Sequence, residues 1–147
     1  MRHAHAAALL FALVLAAPAR AQAPDATTAA DQVLRQLDAF RRNDYDAAYA
    51  MASVEIHSLF DRRSFEQMVR TGYPEIAECV RARVAERRAA PDGRVLLLMK
   101  ILGANGNHVE AVYEMVWEAD AWKVNGVVAQ PDPGEEARAP RRGAVAA

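Results

Sequence analysis

Apolar positions recur along this chain with two different periods, and the change from one to the other divides it. In "TTAADQVLRQLDAFRRND", Val33, Leu34, Leu37 and Phe40 fall three and four apart, while Thr28 and Asp31 stand at the separation of a capping box. The spacing predicts an amphipathic helix over 29–42. Asn43 suits its end, and Asp44 can cap a second helix, "YDAAYAMAS", whose Tyr45, Ala48, Tyr49 and Ala52 share a face. The two should form an angled pair. "VEIHSLFD" satisfies neither period cleanly, and we read it as helical. In "SFEQMVRTGYP" Ser64 is placed to cap, Gln67 completes a capping-box spacing, Phe65, Met68 and Val69 face one way, and Gly72 with Pro74 ends the helix.

Beyond Glu78 the period becomes two. "CVRARVAER" alternates, "PDG" is turn chemistry, and "RVLLLMKIL" reads as a strand apolar on both faces. Asn105-Gly106 supplies a hairpin turn before "HVEAVYEMVWE", and "ADA" turns the chain into "WKVNGVVAQ". Asn125-Gly126 could turn again, but that would leave fragments of about four residues, so a bulge within one strand is preferred. Helices followed by a four-stranded antiparallel meander make this an α+β chain.

If one sheet face meets the helices, alternation selects it: Val80, Ala82, Val84, Val95, Leu97, Met99, Ile101, Val109, Ala111, Tyr113, Met115, Trp117, Trp122, Val124 and Val128. Glu110, Glu114 and Glu118 then point away from the helices. So do Leu96, Leu98, Leu102, Val112, Val116 and Val127, an apolar stripe that a monomer would leave wet. A homodimer through that face is expected, with Arg81, Arg83, Arg87 and the three glutamates around it.

The start of the chain changes where this domain is expected to work. "MRHAHAAALLFALVLAAPARA" offers an early Arg2, an apolar run over 6–17 and a small-x-small site at Ala19-Arg20-Ala21, the pattern of a cleaved signal peptide over 1–21. That run falls well short of the ~20 residues a membrane-spanning helix needs. Cleavage removes Arg2 and Arg20 from 18 basic residues and nothing from 19 acidic ones, leaving a formal charge of −3. Such a chain is no polycation seeking nucleic acid. One α+β domain is expected over 22–130, periplasmic or secreted, with no membrane contact after cleavage. Residues 131–147, rich in proline and lacking aromatics, read as a disordered tail.

The helical half, "QLDAFRRNDYDAAYAMAS" with "FEQMVRTGYPEI", resembles the domain of unknown function 4864 family of exported bacterial proteins. Helices followed by a meander ending in "WKVNGVV" are similar to the nuclear-transport-factor-2-like roll, in which a curved sheet wraps the helices into a cone. The resemblance covers roughly 31–130. Val54 stands where proline would be expected. What it implies is a fold and export; it carries no catalytic residue to transfer.

Candidate chemistry is sparse. Cys79 is the single cysteine, so no intrachain disulfide can form, and we expect it to pack as a small apolar residue. His57 and His108 are the only histidines after 1–21, without metal-ligand spacing, and no phosphate loop, dinucleotide fingerprint or nucleophile elbow occurs. No cofactor or metal is expected. His57 and Asp61, four apart, could pair on a helix as base and orienter; otherwise they are a solvated pair. Tyr45, Tyr49, Tyr73, Tyr113, Trp117 and Trp122 could line a ligand pocket or fill the core. Leaving both indoles half bare would cost about 4–6 kcal/mol of a typical ~5–15, at ~25 cal/mol per Å². Either the rings close the core, the preferred reading, or a bound apolar molecule covers them. The chain therefore reads first as an exported, dimeric, non-enzymatic module binding a small apolar ligand or a protein. A cofactor-free enzyme acting on a small hydrophobic molecule is the alternative.

Overall fold

A computed structural model describes residues 25–136. Five helices precede the sheet: α1 (Ala26–Arg41), α2 (Tyr45–Ala50), α3 (Val54–Leu59), α4 (Arg62–Gly72) and α5 (Pro74–Ala77). The first four start on side-chain acceptors, while α5 opens on Pro74 without one. Asp25 accepts from Thr27 N at 3.0 Å, Asp44 from Ala47 N at 3.0 Å, and Ser53 Oγ from Ile56 N at 3.2 Å. Asp61 accepts from Ser64 N at 2.7 Å.

Two expected caps are therefore displaced by about a turn. α1 starts at Ala26 on Asp25, because Thr28 Oγ1 has other work: it donates to the Asp25 carbonyl at 2.7 Å and accepts from Trp122 Nε1 at 2.9 Å. α4 starts at Arg62 because the Asp61 carboxylate accepts the amide of Ser64 itself and so begins the helix three residues earlier.

Four strands follow, β1 (Cys79–Ala89), β2 (Val95–Gly103), β3 (His108–Glu118) and β4 (Ala121–Pro131), antiparallel and hydrogen-bonded in the order β1-β2-β3-β4. The fold is α+β, as the two periods predict. The β2–β3 connection differs in detail: Gly106 alone takes a left-handed backbone, φ 84°, after a turn closed by Gly106 N on the Gly103 carbonyl at 3.0 Å. The two-residue turn is instead Ala119-Asp120, at φ 47° and 59°, between the paired Glu118 and Ala121.

Register corrects part of the face assignment. On β4, Gly126 opposes Glu114 and Val124 opposes Met115, so Asn125 is the extra residue of a bulge. Beyond it the faces exchange: Val127 packs on the core, while Val128 is 72% exposed and opposes Val112 on the far face. On β1, irregularities after Cys79 and Val84 leave Val80 55% exposed and bring Arg87 opposite the inward Leu97. Val80 and Val128 thus leave the inner set, and Val127 and Arg87 leave the outer one.

Between sheet and helices lies a continuous apolar core. α1 contributes Ala29, Ala30, Val33, Leu37, Ala39 and Phe40, and the sheet Leu97, Met99, Ile101, Ala111, Tyr113 and Met115. Cys79 is buried among them, and that burial pushes its thiol pKa up, away from reactivity. The ordered chain also continues past residue 130: β4 ends at Pro131, and Asp132, 6% exposed, receives Lys100 Nζ at 2.8 Å before α6 (Pro133–Glu136). Residues 131–136, expected in a disordered tail, instead hold the end of β4 and α6; the rest of that tail, 137–147, and the expected leader over 1–21 lie outside the described residues.

Candidate functional site

A cavity of about 230 Å³ lies between the helical layer and the last two strands. Gln36 and Phe40 of α1 reach it from one side; Ile56 of α3 and the following Phe60 cover it. Phe65, Met68 and Val69 of α4 wall it with Tyr73 and Ile76, while Tyr113, Val124, Gly126 and Val127 form the sheet side. Ile56, Phe60, Met68, Tyr73 and Val127 are half-buried, which marks the side nearest solvent. The bulge at Asn125 positions this wall, since it turns Val127 inward.

Three polar side chains belong to the lining. Gln36, 2% exposed, donates through Nε2 to the Ala48 carbonyl at 3.0 Å, which ties α1 to α2 and leaves the acceptor end of its amide for a ligand. Tyr73 donates its hydroxyl to the Val127 carbonyl at 3.1 Å. Tyr113 is 1% exposed, and its hydroxyl has no hydrogen-bond partner. Burial raises the Tyr113 pKa well above the ordinary phenol value, so it is a neutral donor. A buried unpaired hydroxyl costs about 1–3 kcal/mol.

The other aromatic candidates lie elsewhere. Tyr45 is a core residue under Phe40, at 5.4 Å between centroids, with the Arg70 guanidinium 4.4 Å over its face. Its hydroxyl is also buried without a partner, and desolvation raises its pKa, but it is not part of the lining. Tyr49 donates to the Phe60 carbonyl at 2.6 Å and so holds the end of α3. Trp122, 4% exposed, seals the core under the start of α1; Trp117 stands edge-on to it at 5.4 Å and remains 44% exposed. One indole closes the core and the other covers it from outside, so neither lines the cavity.

His57 and Asp61 do not share a helix. Phe60 leaves α3 with extended backbone, φ −132° and ψ 128°, and Asp61 becomes the cap of α4. The imidazole instead meets the Tyr49 carbonyl at 2.7 Å and that residue's ring at 4.2 Å. Amides of the new helix hold the Asp61 carboxyl below its usual range. The base-and-orienter arrangement is therefore not formed.

Ionisable groups surround the cavity without entering it. Arg62 and Arg70 are held by Glu66, and Glu66 is in turn kept below the usual carboxylate range by both. Glu110 pairs with Lys100, Glu114 with Arg94 at 3.1 Å, and Glu118 accepts from Val54 N at 3.0 Å. Ser53, fully buried, donates to Asn125 Oδ1 at 2.7 Å, and Asn125 Nδ2 donates to Glu114 at 2.7 Å, binding the start of α3 to the bulge. Among the described residues no group of three or more His, Cys, Asp or Glu is placed to hold a metal ion, and no helix is long and apolar enough to cross a membrane.

Across the far sheet face, Leu98, Val112 and Val128 form one cross-strand row, with Leu96 beside it and Val116 toward the Trp117 end. Val112 is 41% exposed.

Sequence reasoning placed Tyr73 and Tyr113 among the cavity candidates and missed Gln36. Its signal was legible: a glutamine three residues after Val33 and four before Phe40 falls on the apolar stripe of the first helix. No curated protein and no solved structure matches the chain. The family model described as Domain of unknown function (DUF4864) matches residues 22–137, and the chain belongs to that family.

Proposed function

We propose that this protein is an exported, non-enzymatic module that binds a small apolar molecule in the cavity beneath α3, within a nuclear-transport-factor-2-like roll. The observation that carries this reading is the lining itself: aliphatic and aromatic side chains, with Gln36 and Tyr73 as its polar members beside the buried Tyr113. Ligand sites are commonly concave and apolar with a few polar groups that orient what binds. No carboxylate, imidazole or amine reaches the lining among the described residues, and this favours binding over proton-transfer chemistry. Export rests on the leader pattern over 1–21. Pairing of two chains rests on the row Leu98, Val112, Val128, an apolar band on the sheet face turned away from the core, where Val128 is 72% exposed among the described residues.

Native mass spectrometry of the protein purified from the exported fraction of its host tests all three parts. Expected are a chain beginning near Gln22, a dimer, and a non-covalent adduct small enough for the cavity. A chain retaining Met1 would refute export, a monomer at tens of micromolar would refute pairing, and a bare protein that takes up no apolar molecule would refute binding.

A further inference from the structure

We infer that the open edge of β1 takes up an extended segment of another protein, one in which acidic and apolar side chains alternate. The cavity beneath α3 plays no part in this. β1 lies at the border of the sheet: among the described residues only β2 pairs with it, so one row of its backbone N–H and C=O groups is left to an added strand. The register breaks after Cys79 and after Val84, but between those breaks residues 81–84 pair regularly with Leu102, Ile101, Lys100 and Met99. That stretch is a straight ledge on which a further strand can be laid.

The two faces of the ledge set the pattern of its partner, since successive side chains of a strand point to opposite faces. On the helical side Ala82 and Val84 are only half-buried. A groove of about 180 Å³ runs there between α1 and the strand, with Leu37 and Cys79 in its lining and with Leu34, 39% exposed, and Val80, 55% exposed, on its flanks. Apolar side chains of an added strand would cover it. On the far side Arg81 and Arg83 are exposed and stand opposite Leu102 and Lys100, so neither meets an acid across the ladder and Arg83 faces a like charge. The neighbouring acids are already engaged: Glu110 and Asp132 hold Lys100, Glu86 accepts from Arg88 at 2.8 Å, and Asp38 on the α1 wall is held by Arg41 and Arg42. A carboxylate beside Arg81 and Arg83 therefore has to arrive with the strand that joins them.

The chain itself does not supply that strand. No Asp or Glu occurs in 1–24 or 137–147, and the second of these segments carries Arg138, Arg141 and Arg142. A second copy does not supply it either, because its β1 would set arginine against arginine and its other edge strand, β4, contains no acid. The occupant is a separate polypeptide. Strand addition of this kind draws affinity from main-chain hydrogen bonds and specificity from alternate side chains.

Titration of three capped heptapeptides into isotope-labelled secreted protein, followed through its amide resonances, tests this. One peptide alternates glutamate and valine, one alternates lysine and valine, and one carries the glutamates and valines of the first in separate blocks. The alternating acidic peptide should shift Leu34 and 80–85 and bind at least ~tenfold more tightly than the other two. With Arg81→Glu and Arg83→Glu combined, both at exposed positions, the preference should invert toward the lysine peptide. No binding of the acidic peptide at millimolar concentration would leave the arginines as guards that keep other strands off the edge, and would overturn the inference. Equal binding of the blocked peptide would reduce it to charge attraction alone and overturn it too. So would a preference unmoved by the double reversal, or shifts centred on Val112 and Val128. Resonances of 80–85 that move with protein concentration before any peptide is added would put a second copy on the edge, which also contradicts the inference.

Discussion

Two helices lie against the same helical side of this sheet and treat it differently. α1 spans 16 residues and buries seven of them, so it supplies the largest share of the helical side of the core. α3 spans six and buries none; Val54 and Leu59 are 71% and 66% exposed, and only half-buried Ile56 meets the core. The cavity lies on that second side. Sealing requires a stripe of apolar residues recurring over several turns, which α1 has and a helix of under two turns cannot supply. α3 is held chiefly by polar ties at its two ends, Ser53 on Asn125 and Tyr49 on the Phe60 carbonyl. A cover fixed at its ends and thinly packed along its length leaves room for a small molecule beneath it.

The contrast can be broken most severely by truncating one leucine on each helix. Leu37→Ala removes a side chain that is 4% exposed and should cost about 2–5 kcal/mol in urea unfolding. Leu59→Ala should stay within about 0.5 kcal/mol of the parent. Equal losses would mean that α3 packs as α1 does.

A smaller effect tests the ties. Ser53→Ala removes the cap of α3 and the partner of Asn125 together, and should cost about 1–2 kcal/mol. Hydrogen exchange should quicken along 54–59 and remain unchanged along α1. A loss of protection spread evenly over both helices would deny that α3 opens as its own unit.

The smallest effect concerns acid. The side chains of Asn107 and Asn105 hold Glu75 below the usual carboxylate range, and Lys100 does the same for Asp132. A depressed folded value stabilises the protein fully above the unfolded carboxylate pKa of about 4, and the contribution fades as pH falls below that toward the folded values. Stability at pH 6 and pH 3 should therefore differ less in Glu75→Gln than in the parent. An identical or steeper acid dependence in the variant would show that this carboxylate carries none of it.

Much of the architecture was legible because period is a local property. Val33, Leu37 and Phe40 mark α1, and the alternation over 108–118 marks β3 at its observed bounds. What escaped depends on competition or on partners distant in sequence. Asp25 and Asp61 out-compete Thr28 and Ser64 as caps, and Thr28 is claimed by Trp122, 94 positions away. Alternation signalled a bulge near Gly126 but could not place the extra residue at Asn125, so Val127 and Val128 were exchanged. Tyr113 was legible as inward-facing. That its hydroxyl lacks a partner depends on side chains packed around it from elements far apart in sequence, which no single stretch records.

The central claim is that the α3 side of the core is loosely packed and buries the Tyr113 phenol there without a hydrogen-bond partner, and urea unfolding of Tyr113→Phe without ligand tests it most directly. Deleting a buried hydroxyl that has no partner should leave stability unchanged or raise it by about 1 kcal/mol. A loss of 1 kcal/mol or more, about the worth of a satisfied hydrogen bond, would contradict the account.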